Sequence, residues 1–231
     1  MAPHTPQHPG RPRGTRPGLD VAAQSCPLPL SGSDRILLGH GSGGKMTAEL
    51  IARYFLPAFR NEFLEKRDDQ AVVDIGETRV AFTTDSYVVT PLFFPGGNIG
   101  DLAVNGTVND LAMSGAQPLY LSAAFVLEEG FPLADLERIV ASMQKAAAAA
   151  GVLLVTGDTK VVDRGKADGC FVTTTGLGLV GHDRTISADR ARPGDVVILS
   201  GPIAEHGMAI MAARADLELE TPITSDTAAL H

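Results

Sequence analysis

The stretch at 132–151 constrains the fold more than any other part of the sequence. Apolar residues recur there at helical spacing and lead into a run of alanines. Pro132 suits the first turn of a helix and Gly151 suits its end, so we predict an amphipathic helix between them. Strand candidates at 119–127 and 152–155 flank this helix. The pattern predicts a domain that mixes helices with strands.

Further elements are predicted on both sides of this segment. Gly76 and Glu77 join two β-rich runs, which indicates a hairpin. Asn98 can cap a helix that stops at Gly115. The other predicted strands are 71–75, 78–84, 171–180 and 196–200, and the other predicted helices are 47–56, 98–114 and 207–213. No internal repeat is present, and the fold class is predicted to be α+β.

Charge and hydropathy exclude several classes of protein. The formal net charge is −8 over 231 residues, although residues 1–18 carry three arginines and no acid. The rest therefore has 16 basic and 27 acidic residues, a body that repels nucleic acid and anionic membranes. Apolar runs fall far short of the roughly 20 residues that a membrane helix needs. Cys26 and Cys170 lack metal-type spacing, so we expect a reducing, cytoplasmic location.

Composition shifts suggest three regions. Residues 1–33 are rich in Pro and Arg and are expected to be a disordered leader. Residues 34–185 hold most of the predicted elements and are expected to form one domain. Residues 186–231 are expected to be the beginning of a second, incomplete domain.

A glycine-rich loop, GHGSGGK, occupies Gly39 to Lys45 and matches seven positions of the P-loop pattern. Met46 stands at the eighth position, where a P-loop needs Ser or Thr to bind magnesium, so a true P-loop is disfavoured. The backbone amides around Gly41, Gly43 and Gly44 remain candidates to approach phosphates, with Lys45 adding positive charge. A flexible glycine linker is the alternative.

Acidic residues follow several separate elements. Binding Mg²⁺ together with a polyphosphate requires hard oxygen ligands from different parts of a chain. The candidate metal ligands are Asp69, Asp85, Asp110 and Asp158. Each alone is more typical of a turn or a helix cap. Their neighbours Asn109 and Thr159 are further candidates for nucleotide binding, although Asn109 also fits a solvated helix face with Asp101 and Asn105.

Two residues are candidates for proton or phosphoryl transfer. Lys160 lies two residues after Asp158, from where a lysine can reach a transferring phosphate. His206 has no histidine partner at metal-type spacing and is a possible proton-transfer group. A solvated loop lysine and a histidine at the start of a helix are the plain alternatives.

From about Ile36 onward the sequence resembles the hydrogenase maturation factor HypE family, which is related to aminoimidazole ribonucleotide synthetase and selenophosphate synthetase. The segments that carry the resemblance are GHGSGGK at 39–45, DDQAVV at 68–73, FTTDSYVVTPLFFPGGNIGDLAVNGTVNDLAMSGAQPLYLS at 82–122, LEEG at 127–130 and VTGDTKVVDRG at 155–165. The resemblance implies a PurM-like N-terminal domain, with a mixed or antiparallel sheet packed by helices. It also implies the start of a truncated α+β C-terminal domain.

The resemblance also implies a function. The family uses ATP and Mg²⁺ to dehydrate a carboxamide on the thiol of a C-terminal cysteine to a thiocyanate, which supplies cyanide for [NiFe] hydrogenase. It further implies a homodimer joined through its sheets, with HypF and the HypC–HypD complex as partners. On this basis the loop at 41–45 resembles a phosphate lid and Lys160 a reaction-centre residue.

The family ends in a Pro-Arg-Ile-Cys tail, whereas this sequence ends at Ala229-Leu230-His231. We therefore expect the chain as given not to complete the dehydration. Two alternatives stay open: another ATP-dependent enzyme such as a selenophosphate synthetase, and a non-catalytic dimerisation or docking module.

Overall fold

The computed structural model describes residues 34–199, 201–215, 217 and 221–231. The predicted leader at 1–33 therefore lies outside the described residues. The chain divides into two units, one ending at Tyr54 and the other spanning Phe55–His231. We describe each unit by itself.

The first unit contains the glycine loop and a helical segment. A 3₁₀ turn at Leu38–Gly41 leads through the loop into helix α1, Lys45–Leu50, and π-helical turns follow at Ile51–Phe55. The prediction of a loop followed by a helix at 47–56 is confirmed, but the helical bonding pattern changes from α to π halfway along.

The second unit contains one five-stranded sheet and two long helices. Its helices are α2 (Leu56–Phe59), α3 (Ile99–Ala112), α4 (Leu133–Ala150) and α5 (Glu205–Arg214), and its strands are β1 (Ala71–Ile75), β2 (Thr78–Tyr87), β3 (Phe93–Phe94), β4 (Gly97–Asn98), β5 (Gln117–Glu128), β6 (Leu153–Val162) and β7 (Cys170–Leu179). Short 3₁₀ turns lie at Leu64–Lys66 and Ala188–Arg190.

The sheet is mixed, as predicted. Its strand order is β1-β2-β7-β5-β6, and β3 pairs separately with β4. Strands β5 and β6 are parallel because α4 carries the chain back across the sheet between them, whereas the other neighbours are antiparallel. The predicted hairpin at the start of the sheet is confirmed, with Gly76 in its turn at φ 63°.

The core lies between one face of this sheet and helices α3 and α4. Alternate residues of β7 are buried, since successive strand side chains point to opposite faces. Val172 of β7 and Leu121 of β5 pack in one cluster with Val104 and Val108 of α3 and Ile139 of α4. Among the described helices of this unit, α3 and α4 contact the five-stranded sheet from this one face, and the opposite face is called the open face below.

Local sequence signals explain where the two long helices begin and end. The Asn98 side chain accepts a hydrogen bond from Gly100 N, and Asp101 accepts one from Asn98 N, which completes a capping box for α3. Gly151 ends α4 in the left-handed conformation at φ 68°. A side chain at Gly100 would lie 2.4 Å from the Ile139 carbonyl oxygen, so glycine permits the close crossing of the two helices.

Two sequence predictions were wrong. The apolar run at 196–199 is not a strand: Val197 is 93% exposed, and no described strand lies beside it to supply hydrogen bonds. Asp158 does not follow a strand but lies inside β6, because pairing with the long strand β5 extends β6 to Val162. The predicted helix at 207–213 is confirmed as α5.

The segment at 221–231 packs against the sheet domain. Ser225 N donates to the Pro95 carbonyl, and the side-chain amide of Asn109 bonds to Ala228 O and Leu230 N. The predicted domain boundary between 185 and 186 stays a prediction.

Candidate nucleotide and metal site

Three of the predicted acids lie together at the junction of β1, β2 and α3. Asp69 precedes β1, Asp85 lies near the end of β2, and Asp110 lies in the last turn of α3. The buried Thr83 links Asp69 and Asp110, since its hydroxyl oxygen is 2.8 Å from the Asp69 carbonyl oxygen and 3.1 Å from Asp110 Oδ2. The alternation of β2 turns both Thr83 and Asp85 toward α3.

We call Asp69, Asp85 and Asp110 the acid cluster. Without a cation, the negative charges of its carboxylates repel one another. The pKa of Asp110 rises from 3.8 to about 7, chiefly because burial disfavours its charge and also because Asp85 and Asp69 repel it. The hydrogen bond from Thr83 works in the opposite direction. A divalent cation would relieve this repulsion, so the cluster has the donor chemistry that fits Mg²⁺.

The cluster is not a complete metal centre by itself. Within the described ranges, no group of three or more His, Cys, Asp or Glu side chains is already arranged to hold a metal ion. Mg²⁺ is commonly held by one or two carboxylates together with phosphate oxygens and water. The cluster therefore suits a metal that arrives with a phosphorylated ligand.

A row of hydroxyl groups behind Asp85 was not predicted from the sequence. Tyr87 Oη lies 3.1 Å from Asp85 Oδ2 and 3.3 Å from Thr107 Oγ1. Thr107 Oγ1 is 2.5 Å from Thr174 Oγ1, which donates to the Ala103 carbonyl. Strand alternation was the available signal for Tyr87, because it stands two residues after Asp85 on the same face of β2.

The fourth predicted acid, Asp158, lies elsewhere. Lys160 Nζ is 2.6 and 2.8 Å from the two Asp158 carboxylate oxygens, and this hydrogen bond lowers the pKa of Asp158. Asp158 pairs with Ala124 of β5 and Lys160 with Val126, which places both side chains on the sheet face opposite α3. Thr159 donates its backbone N–H to Asp158. The acid cluster and the Asp158–Lys160 pair thus occupy opposite faces of one sheet.

Two other predicted residues have contacts within the chain. The Asn109 side chain donates a hydrogen bond from Nδ2 to Ala228 O and accepts one at Oδ1 from Leu230 N. His206 lies at the start of α5, with Nδ1 2.9 Å from Ser225 Oγ and its ring edge-on to Phe94. Their roles in nucleotide binding and proton transfer stay predictions.

The glycine loop of the first unit is tied to helix α1. Gly43 adopts φ 74° and donates its N–H to Thr47 Oγ1, and the Ser42 hydroxyl donates to Gly39 O. Lys45 is exposed and lies 3.8 Å from Glu49. Met46, which replaces the P-loop hydroxyl, packs its sulfur against Gly39. The phosphate contacts of Gly41, Gly43, Gly44 and Lys45 stay predictions.

The chain is similar to known proteins over most of its length. Residues 67–180 match the family model of the AIR synthase related protein, N-terminal domain. Carbamoyl dehydratase HypE of Rhizobium leguminosarum bv. viciae is 56% identical over 197 residues, which cover 85% of this chain and 56% of that protein. This chain therefore spans little more than half the length of that relative.

Two crystal structures give the same family. The structure of a HypE–HypF complex aligns with a TM-score of 0.74 and 51% identity, over 78% of this chain and 58% of that chain. A HypE structure in complex with ATP aligns with a TM-score of 0.65 and 50% identity, over 85% and 58% of the two chains. The PurM-like α+β fold expected from the sequence is confirmed.

Proposed function

We propose that this chain, which belongs to the HypE family of hydrogenase maturation proteins, is the ATP-binding part of a carbamoyl dehydratase. The observation that carries this proposal is the 50% identity to an ATP-bound HypE over 85% of the chain. The acid cluster supports it, because its carboxylates match what a magnesium–polyphosphate complex needs.

The proposed reaction converts a cysteine S-carboxamide to a thiocyanate. The carboxamide oxygen attacks the γ-phosphorus of ATP, the bond from that phosphorus to the bridging oxygen of ADP breaks, and one N–H proton is lost. The C–O bond to the phosphoryl group then breaks while the second N–H proton leaves, which yields the C≡N group and phosphate. The cysteine that carries the substrate belongs to a C-terminal tail in the family.

Particular residues are assigned to this chemistry. Asp69, Asp85 and Asp110 would hold Mg²⁺ with the phosphates, and bound Mg²⁺ supplies positive charge to the phosphoryl group under attack. By resemblance to the family, the loop at 41–45 is proposed to bind phosphate. Lys160 lies on the opposite face of the sheet from this cluster, so we do not assign it to these phosphates, and its place at the reaction centre stays a prediction.

The proposal extends to assembly and location. We propose a homodimer joined through the open faces of the sheets, HypF and the HypC–HypD complex as partners, and a cytoplasmic location. The open face supports self-association because it carries exposed apolar side chains such as Phe82 and Tyr120. None of the described helices is long and apolar enough to cross a membrane.

Calorimetric titration of ATP, with and without Mg²⁺, tests the proposal. We expect binding to require Mg²⁺ and Asp85→Asn to weaken it by about 10-fold or more, because a charged ligand is lost. Glu77→Gln is the matched control, since that glutamate is exposed in the turn between β1 and β2, at the opposite end of β2 from Asp85. Unchanged affinity in Asp85→Asn would remove Asp85 from the site, and a wild-type chain that does not bind ATP would favour the docking-module alternative.

A further inference from the structure

Tyr87 is placed where its hydroxyl contacts one oxygen of a proposed metal ligand. Its Oη lies 3.1 Å from Asp85 Oδ2, and its ring is half-buried against α3. Asp85 itself is half-buried near the end of β2. A carboxylate in this position has several accessible rotamers, so a fixed hydrogen bond to one oxygen decides where the other oxygen points.

The hydroxyl groups behind Tyr87 direct its proton toward Asp85. Each hydroxyl has one proton to donate. The Thr174 hydroxyl donates its proton to the Ala103 carbonyl oxygen. In the 2.5 Å contact between the two threonines, Thr107 is therefore the donor and Thr174 the acceptor. Thr107 therefore has no proton left for Tyr87. An ionised Asp85 is the stronger acceptor available to Tyr87, because hydrogen bonds to charged groups are stronger than neutral ones.

Helix α3 is built to admit the Tyr87 hydroxyl at this place. A side chain at Gly106 would lie 2.2 Å from Tyr87 Oη and 3.0 Å from its ring. Glycine inside a helix is otherwise unfavourable. Its presence opposite the hydroxyl lets strand β2 and helix α3 approach closely enough to form the contact with Thr107.

We propose that Tyr87 is a positioning residue that holds Oδ2 of Asp85 and so presents the other carboxylate oxygen to the metal–phosphate ligand. This inference rests on the proposed function, because it needs Asp85 to bind the metal.

The experiment measures Mn²⁺ binding in the presence of ATP by electron paramagnetic resonance, with Mn²⁺ as a spectroscopic substitute for Mg²⁺. Tyr87→Phe keeps the ring and removes only the hydroxyl, and we expect it to weaken Mn²⁺ binding about 5- to 10-fold. Tyr54→Phe is the matched control, because that tyrosine is exposed and belongs to neither the sheet nor the acid cluster. It should bind Mn²⁺ as the wild type does.

Two further variants separate positioning from a structural role. In an Asp85→Asn background, Tyr87→Phe should change Mn²⁺ affinity less than about twofold, since the two residues act through one contact. Gly106→Ala should displace Tyr87 and weaken Mn²⁺ binding while the tyrosine itself is intact.

Wild-type Mn²⁺ affinity in Tyr87→Phe, or an equal loss in both backgrounds, would overturn the positioning role and leave the proposed function standing. A wild-type chain that binds neither Mn²⁺ nor ATP would instead overturn the proposed function, and the positioning role with it.

Discussion

At the scale of single residues, the acid cluster lowers the stability of the free protein, because its carboxylates repel one another. Asp110 is half-buried beside Asp85, and the charges of Asp85 and Asp69 oppose its ionisation. Thr83 offsets part of this cost with its hydroxyl group. A cluster arranged only for stability would not gather three carboxylates without a cation, because each one makes the ionisation of the others less favourable.

Asp110 should therefore make the stability of the magnesium-free protein depend on pH. The unfolded carboxyl group loses its proton near its ordinary pKa of 3.8, whereas the folded group keeps it up to about pH 7. The folded state binds more protons in this window, so stability should fall as pH rises from about 4 to about 7. One proton gives a slope of at most about 1.4 kcal/mol per pH unit, and solvent screening of this half-buried group reduces it.

Urea denaturation across this pH range, without divalent cations, measures the slope in Asp110→Asn against the wild type. The variant should show a shallower fall, because its amide does not titrate. Glu77→Gln, in the exposed turn between β1 and β2, should retain the wild-type slope. Equal slopes for all three proteins would mean that the Asp110 pKa is not raised in the folded state.

At the scale of elements, the sequence predicted those parts of the fold that depend on local signals. Helix α4 was predicted within one residue at its start, because its apolar period, Pro132 and Gly151 all agree. The strand predicted at 196–200 was wrong since a strand depends on a neighbour that apolar composition does not reveal. The length of β6 was also missed, because the pairing with β5, and not the local sequence, determines where it ends.

In the candidate site, too, local sequence predicted residue types but not which residues lie together. The acids at 69, 85 and 110 were predicted as ligands by residue type, but their grouping depends on how β2 packs against α3. Asp158 has the same local appearance, yet its register in β6 sets it on the other face of the sheet. Tyr87 and Thr107 were missed because neither residue type points to metal chemistry, and only the packed structure brings them beside Asp85.

The end of α4 provides a test of local backbone chemistry. Gly151 has φ 68°, and a side chain there would meet no atom within 4 Å, so Gly151→Ala changes backbone strain without a steric clash. We expect the free energy of unfolding to fall by about 1 kcal/mol, the cost of a left-handed residue with a Cβ atom. Gly181→Ala is the matched control, because that position is equally open and its φ lies outside the left-handed region.

Chemical denaturation of both variants measures this difference. Gly181→Ala should leave the free energy of unfolding close to that of the wild type. An equal loss in the two variants would show that the left-handed conformation at the end of α4 carries no particular cost.

At the scale of the whole sheet, the two faces have different chemistry. The face that α3 covers holds the core and the acid cluster. On the open face, register places Phe82, Leu177, Tyr120 and Leu153 in one row across four strands. Hydroxyl pairs follow in the next rows, where Thr84 bonds to Thr175 and Ser86 to Thr173. An apolar row of this length is more typical of an interface than of a solvated surface.

The homodimer proposed above makes this row the place where self-association can be broken. Phe82 is 47% exposed, and Phe82→Asp would bury an unpaired charge if two open faces meet. We expect this variant to be a monomer at concentrations where the wild type sediments as a dimer in analytical ultracentrifugation. Leu133→Asp is the control, because Leu133 is 76% exposed at the start of α4, away from the open face, and this variant should leave the dimer intact.

Dimers in both variants would exclude this face as the interface, and a monomeric wild type would exclude the homodimer itself. If Phe82→Asp alone gives monomers that still bind ATP with Mg²⁺, the nucleotide site is complete within one chain.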